Sequence, residues 1–149
     1  MKLINTVMLR VFIRPDEDYE LIKSSFLGLV NLDLEKEKLS VKEETALGFN
    51  EVKIKILAIT LEKTRHTSAF VKHLLSNLTN EDKKLLLNTI NSRLDDEFNL
   101  YIRLDKDKLL DNIYKVTDSG NCFHVKLNLA CYPKKHESAI KVCEKLFNE

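Results

Sequence analysis

Residues 39–61, LSVKEETALGFNEVKIKILAITL, read as two strands, 39–44 and 52–61, joined by the turn-like ALGFN at 46–50. In the second run Val52, Ile54, Ile56 and Ala58 alternate with Lys53, Lys55 and Leu57, the two-residue period that sets successive side chains on opposite faces of a sheet. Parallel neighbours need a crossover of a dozen or more residues, so a connection this short makes the pair antiparallel. An antiparallel pair inside a chain that also carries helical patterns points to α+β rather than α/β architecture.

Working outward, residues 3–14 alternate Val7, Leu9, Val11 and Ile13 against Thr6, Met8, Arg10 and Phe12, which predicts another strand. Pro15 and Asp16 end it and open a helix, with Asp16 as N-cap and an apolar stripe through Tyr19, Ile22, Phe26 and Leu29 to about Val30. After the hairpin the period turns helical from Thr67, with Phe70, Val71, Leu74, Leu75 and Leu78 on one face. Thr79, three residues before Asp82, resembles a capping box and starts a further helix through Leu85, Leu86, Ile90 and Leu94. Residues 100–104 return to period two, 105–111 form a short turn or helical turn, and 113–116 and 123–132 flank the turn signal TDSGN. Pro133 ends that strand, and Ala139, Ile140, Cys143, Leu146 and Phe147 mark a closing helix. The order β-α-β-β-α-α-β-β-β-α predicts a single α+β domain over 1–149: a mainly antiparallel sheet with helices packed on one face and a wetter opposite face.

Bulk properties agree with one ordinary globular domain. The 149 residues are 44% hydrophobic and 32% charged, with 24 Lys and Arg against 23 Asp and Glu, so the net charge is +1. Whole-molecule electrostatics therefore do not attract a polyanion, and any nucleic-acid site must be a local patch. Two windows fit that description, because residues 63–80 contain Lys63, Arg65 and Lys72 without a carboxylate, and residues 121–136 contain Lys126, Lys134 and Lys135 without one. Cys122, Cys131 and Cys143 match no disulfide scaffold and are expected as reduced thiols in a cytoplasmic protein. No secretion signal or membrane span is expected.

Catalytic signatures are sparse. The three glycines, Gly28, Gly48 and Gly120, form no phosphate-cradling loop, and there is neither a G-x-S-x-G elbow nor an H-E-x-x-H pair. No cofactor, metal or catalytic residue is expected. Cys122 and His124 share a strand face with ligand chemistry but make only two ligands, and His66 and His73 lie seven apart on one helix. Asp95, Asp96 and Glu97 are consecutive acids of the kind found in solvated loops, and alone they are a thin basis for a metal-dependent RNA hydrolase. More informative are Tyr101 and Arg103, an aromatic ring and a guanidinium on the outward face of one strand, a pairing suited to single-stranded RNA. Lys134 and Lys135 stand where the closing helix begins, beside its anion-favouring amides.

Three blocks, VFIRPDEDYELI at 11–22, LTNEDKKLLLNTINSRLDDEFNLYIRLDKDK at 78–108 and LACYPKKHESAI at 129–140, resemble the archaeal family of predicted RNA-binding proteins, also described as predicted exosome subunits. The resemblance implies a fold similar to that of the ribosomal protein that binds five-S RNA, and an accessory, non-catalytic part in RNA metabolism. It is carried by Asn99, Tyr101, Arg103, Asp105 and Lys106, and by Tyr132, Pro133, Lys134 and Lys135. The chain departs from the family pattern at Asp107, Lys108 and Leu109, where glutamine and small residues are usual, at Phe98, where glycine is, and in the 46–50 loop, which lacks histidine and proline. The expected RNA contacts are therefore Arg65, Lys72, Arg103, Lys106, Lys134 and Lys135 for phosphate and Tyr101 for stacking. Asp107 is expected to neutralise Lys106 in part. Expected partners are RNA and exosome- or ribosome-related proteins, with a homodimer or a protein-protein adaptor role as the alternative.

Overall fold

The structure, a computed structural model, describes residues 2–148. Five strands, β1 (Ile4–Ile13), β2 (Lys42–Leu47), β3 (Lys53–Leu61), β4 (Asn99–Asp105) and β5 (Cys122–Leu129), form one sheet in the spatial order β2-β3-β1-β5-β4. Every pairing is antiparallel, as the hairpin argument requires. Six helices, α1 (Tyr19–Val30), α2 (Thr64–Asn77), α3 (Asn80–Asn88), α4 (Ile90–Arg93), α5 (Lys106–Leu110) and α6 (His136–Phe147), complete the predicted α+β order. Residues 113–116 contribute only one bridge, Val116 to Leu104, at the β4 edge.

The alternation read in the sequence sets the two faces of β1 and β4, whereas in β3 the half with Ile56 and Ala58 pairs with Phe12 and Arg10 on the open side and the half with Leu57 is the one buried. Val7, Leu9, Val11 and Ile13 of β1, Leu57, Ile59 and Leu61 of β3, Leu100, Ile102 and Leu104 of β4, and Phe123, Val125 and Leu127 of β5 are buried. They meet Ile22, Phe26 and Leu29 of α1, Phe70 and Leu74 of α2, and Val142, Cys143 and Leu146 of α6 in one core. Burying a side chain of this size contributes roughly 1.5–3 kcal/mol. Arg10, Tyr101 and Arg103 emerge on the opposite face, where no helix packs.

Element ends differ from the sequence reading for local reasons. Asp18, rather than Asp16, caps α1 by accepting from the Leu21 N–H at 3.2 Å, because residues 14–17 first close a turn from the Glu17 N–H to the Arg14 carbonyl. Asn31 ends that helix with φ 55, its N–H donating to the Leu27 carbonyl. The hairpin turn lies two residues later than ALGFN: β2 runs to Leu47, β3 starts at Lys53, and the Gly48 N–H donates to the Val52 carbonyl.

At α3 the capping box is half formed. The Thr79 hydroxyl accepts from the Asp82 N–H at 3.1 Å, but the buried Asp82 carboxylate does not turn back. It accepts instead from the Val116 N–H at 2.9 Å and from Lys115 Nζ at 3.1 Å, tying the loop after α5 to the helix layer. Asp82→Ala would strand the buried Val116 N–H, which costs about 1–3 kcal/mol. Lower denaturation midpoints with faster amide exchange at Val116 are expected; unchanged exchange there would show that the loop is held by other contacts.

Candidate nucleic-acid interface

Strand register places the charges of the uncovered face in rows. Lys42 of β2 pairs with Ala58 of β3, Ala58 with Arg10 of β1, Arg10 with His124 of β5, and His124 with Arg103 of β4. Directly opposed residues project to one side of a sheet, so this row carries Lys42, Arg10, His124 and Arg103 across all five strands, a width of about 19 Å at the usual strand spacing. The next row joins Thr60, Met8, Lys126 and Tyr101. Acids bound the basic band on both sides: Glu44 and Asp105 on one, Asp95 and Glu97 on the other. A polyanion is therefore favoured along the rows, across the strands.

Aromatic side chains lie among these cations. The Arg10 guanidinium sits 5.2 Å from the centre of the Phe12 ring, and Phe12 meets the His124 ring edge-on at 5.4 Å. Tyr101 is 43% exposed, with its hydroxyl donating to Asp95 Oδ2 at 2.8 Å. Asp95 ends a ladder in which Asn5 donates to Asn128, Asn128 to Asn99, and Asn99 to Asp95. This anchors the phenol while leaving its ring available. Burial alone would raise the Asp95 pKa, but the Asn99 backbone and side chain, the Tyr101 hydroxyl and the Glu97 N–H bring it down to about 2. Since that lies below the ordinary value of 3.8, the contribution of this carboxylate is fully present above 3.8 and is lost as the pH falls through about 2.

Arg103 is oriented by Nη1 donating to the Asp118 carbonyl at 3.0 Å, and Asp118 in turn pairs with Arg93 at 3.3 Å. The pKa of His124 is lowered by burial and then by Arg10, Arg103 and Lys106, which favours the neutral imidazole. Its Nε2 lies 3.6 Å from Cys122 Sγ. Among the described residues, no group of three or more His, Cys, Asp and Glu side chains is arranged to hold a metal.

Of the seven RNA contacts expected from the sequence, the structure brings three to this side of the molecule. Tyr101 and Arg103 are on the face itself, and Lys134 adjoins Asn5 and Asn128 at the end of the asparagine ladder. Lys135 is exposed at the N-cap of α6, and the exposed Tyr132 precedes it across a cis bond to Pro133. Arg65 and Lys72 belong to α2 in the helix layer, Arg65 pairing with Glu37 at 3.3 Å.

Lys106 is a correction. It is 4% exposed, and its ammonium donates to the Phe12 carbonyl at 2.8 Å and to both Glu17 oxygens at 3.2 Å, so phosphate cannot reach it. The neutralising acid is Glu17, not Asp107, which accepts from Asn121. The two helical histidines also part company: buried His66 lies 3.5 Å from Glu37, and His73 bonds the Tyr114 hydroxyl at 2.7 Å. Arg10, Phe12 and His124 were not singled out in the sequence as RNA contacts. Their signal was the outward half of the β1 and β5 alternation.

A one-sided α+β sheet with a basic, aromatic-bearing open face defines a class of protein suited to nucleic-acid contact. The chain belongs to the family described as RNA binding, whose model matches residues 6–129. An RNA-binding protein of Pyrococcus abyssi (strain GE5 / Orsay) is 23% identical over 137 residues, spanning 92% of this chain and 89% of that protein. Among solved structures, a DUF54 protein of Archaeoglobus fulgidus is 27% identical with a TM-score of 0.85, covering 96% of this chain and 99% of its own. A DUF54 protein of Methanothermobacter thermautotrophicus shares the fold at 21% identity and a TM-score of 0.77, over 98% and 99% of the two chains. The family match contains every residue of the two basic rows and ends before Lys134 and Lys135. No described helix is long and apolar enough to cross a membrane.

Proposed function

We propose that the protein binds single-stranded RNA without catalysis on the open face of its sheet. Lys42, Arg10, Arg103 and Lys126 contact phosphates, and Tyr101 and Phe12 offer stacking surface. The observation that carries this reading is the cross-strand row Lys42–Ala58–Arg10–His124–Arg103, which concentrates cations although the whole chain is nearly neutral. Lys134 extends the path beyond the asparagine ladder. Arg65 and Lys72, on the helix layer, take no part in it.

Four phosphate contacts give a slope of about −3 for log affinity against log salt with a single strand. A labelled oligouridylate titrated by fluorescence anisotropy measures it, and a flat response would refute phosphate contact as the mechanism. A phosphate beside His124 favours the imidazolium and raises its pKa relative to the free protein, where burial and the neighbouring cations hold it below the ordinary value, so binding takes up a proton and tightens as the pH is lowered into the range where the imidazole titrates. His124→Gln should flatten that pH dependence while leaving neutral-pH affinity nearly unchanged.

Participation in RNA processing, with exosome-type machinery as partner, is supported by the sequence resemblance. Co-purification from the native source with and without nuclease tests it. Processing proteins retained after nuclease treatment support the association, and their absence from both samples counts against it.

A further inference from the structure

The helix layer contains a groove of about 560 Å³ between the start of β1, α2 and the last turn of α6. Its floor is aliphatic, made by Leu3, Val71, Leu75 and Leu146. Its rim carries Lys2, Lys72 and Lys145, with the hydroxyl residues Thr64 and Ser68 beside them. No carboxylate lines the groove, and among the described residues none of the three lysines takes part in an ion pair. Among the described residues this sets three lysines without an acid partner around an apolar cleft.

Two features select the occupant. The charge excess calls for an anionic partner. The absence of any aromatic ring from the lining leaves a nucleobase nothing to stack on, whereas Leu, Ile and Val side chains fit an aliphatic floor. We propose that the groove docks an acidic, aliphatic-rich segment of a protein partner, its Leu or Ile side chains in the cleft and its Asp or Glu side chains on the lysine rim. Because α2 packs on the core face of the sheet, the groove and the open face lie on opposite sides of the molecule. RNA and this partner can therefore be held together, which supplies a physical basis for an adaptor role. The proposal does not depend on the RNA reading.

The test uses the intact protein and a synthetic amphipathic peptide of about 14 residues, with Leu at i, i+4 and i+7 and Asp or Glu at most other positions. Methyl NMR of Val71, Leu75 and Leu146 reports the groove, and signals of Arg10 and Tyr101 report the sheet face. The acidic peptide should shift the groove methyls saturably, and Lys72→Glu/Lys145→Glu should weaken that binding at least tenfold while leaving oligouridylate affinity unchanged. Lys72→Gln/Lys145→Gln should give an intermediate loss, which separates charge from disturbed folding. Three results would overturn the proposal: equal shifts from a peptide with Lys in place of the acids, no saturable shift, or oligouridylate moving the groove methyls.

Discussion

Reversing both guanidinium positions of the central row, Arg10→Glu/Arg103→Glu, is expected to weaken binding of a single-stranded oligouridylate by at least about a hundredfold at physiological salt. Each hydrogen bond to a charged group contributes roughly 1.5–3 kcal/mol, and loss of two therefore exceeds about 3 kcal/mol, or two orders of magnitude in Kd. The salt slope should flatten by at least about 1.4, since each lost contact removes about 0.7 on a single strand. Both side chains stand on the face that no helix covers, so the unfolding temperature should hardly move. Anisotropy titrations at several salt concentrations, beside a thermal melt, read both quantities. Wild-type affinity in this variant would remove the open sheet face from the RNA path.

Lys106→Met should do the reverse, leaving RNA affinity close to wild type while destabilising the fold by about 3 kcal/mol. The substitution keeps the aliphatic stem but removes the donor to the Phe12 carbonyl and the counterion of Glu17. Breaking a buried pair from one side costs roughly 3–5 kcal/mol, and the lower end applies because Glu17 keeps 15% side-chain exposure and accepts from the Arg14 N–H. For a domain whose total stability is about 5–15 kcal/mol, that is a large share. The double change Lys106→Met/Glu17→Leu should recover part of the loss by removing the stranded carboxylate. Denaturant unfolding of the single and double variants measures it. A stable Lys106→Met protein with lost RNA binding would return Lys106 to the interface.

The surroundings of Lys106 are set by residues far from it in the chain. In the sequence it sits among Asp105, Asp107 and Lys108, a charge cluster that resembles the wet end of a strand. Its partners, Phe12 and Glu17, are 94 and 89 positions away and become neighbours only when α5 folds back beside β1 and α1. Asp82 follows the same pattern: a first-turn acid expected to close its own helix terminus instead holds a loop 34 positions on. Buried charged groups need specific partners, and nothing in the local pattern names a partner that distant.

Arg10 shows the complementary limitation. Its outward orientation was legible from the alternation of β1, yet its importance depends on β1 lying between β3 and β5, with His124 and Ala58 as its cross-strand neighbours. Period two says which face a residue takes. It is silent on which distant strand will lie alongside.

What the sequence determined by itself was governed by short-range rules: the antiparallel hairpin at 39–61, the order of helices and strands, which half of β1 and of β4 faces the core, and the outward position of Tyr101 and Arg103. Those follow from backbone periodicity, turn length and the removal of apolar surface from water, all of which act within a few residues. The tertiary structure alone decided which charges meet. It aligned Lys42, Arg10, His124 and Arg103 in one row, withdrew Lys106 into an ion pair, and sent Arg65 and Lys72 to the opposite layer. Charge interactions depend on distance and burial in space, and those are settled only when strands far apart in the chain find their register.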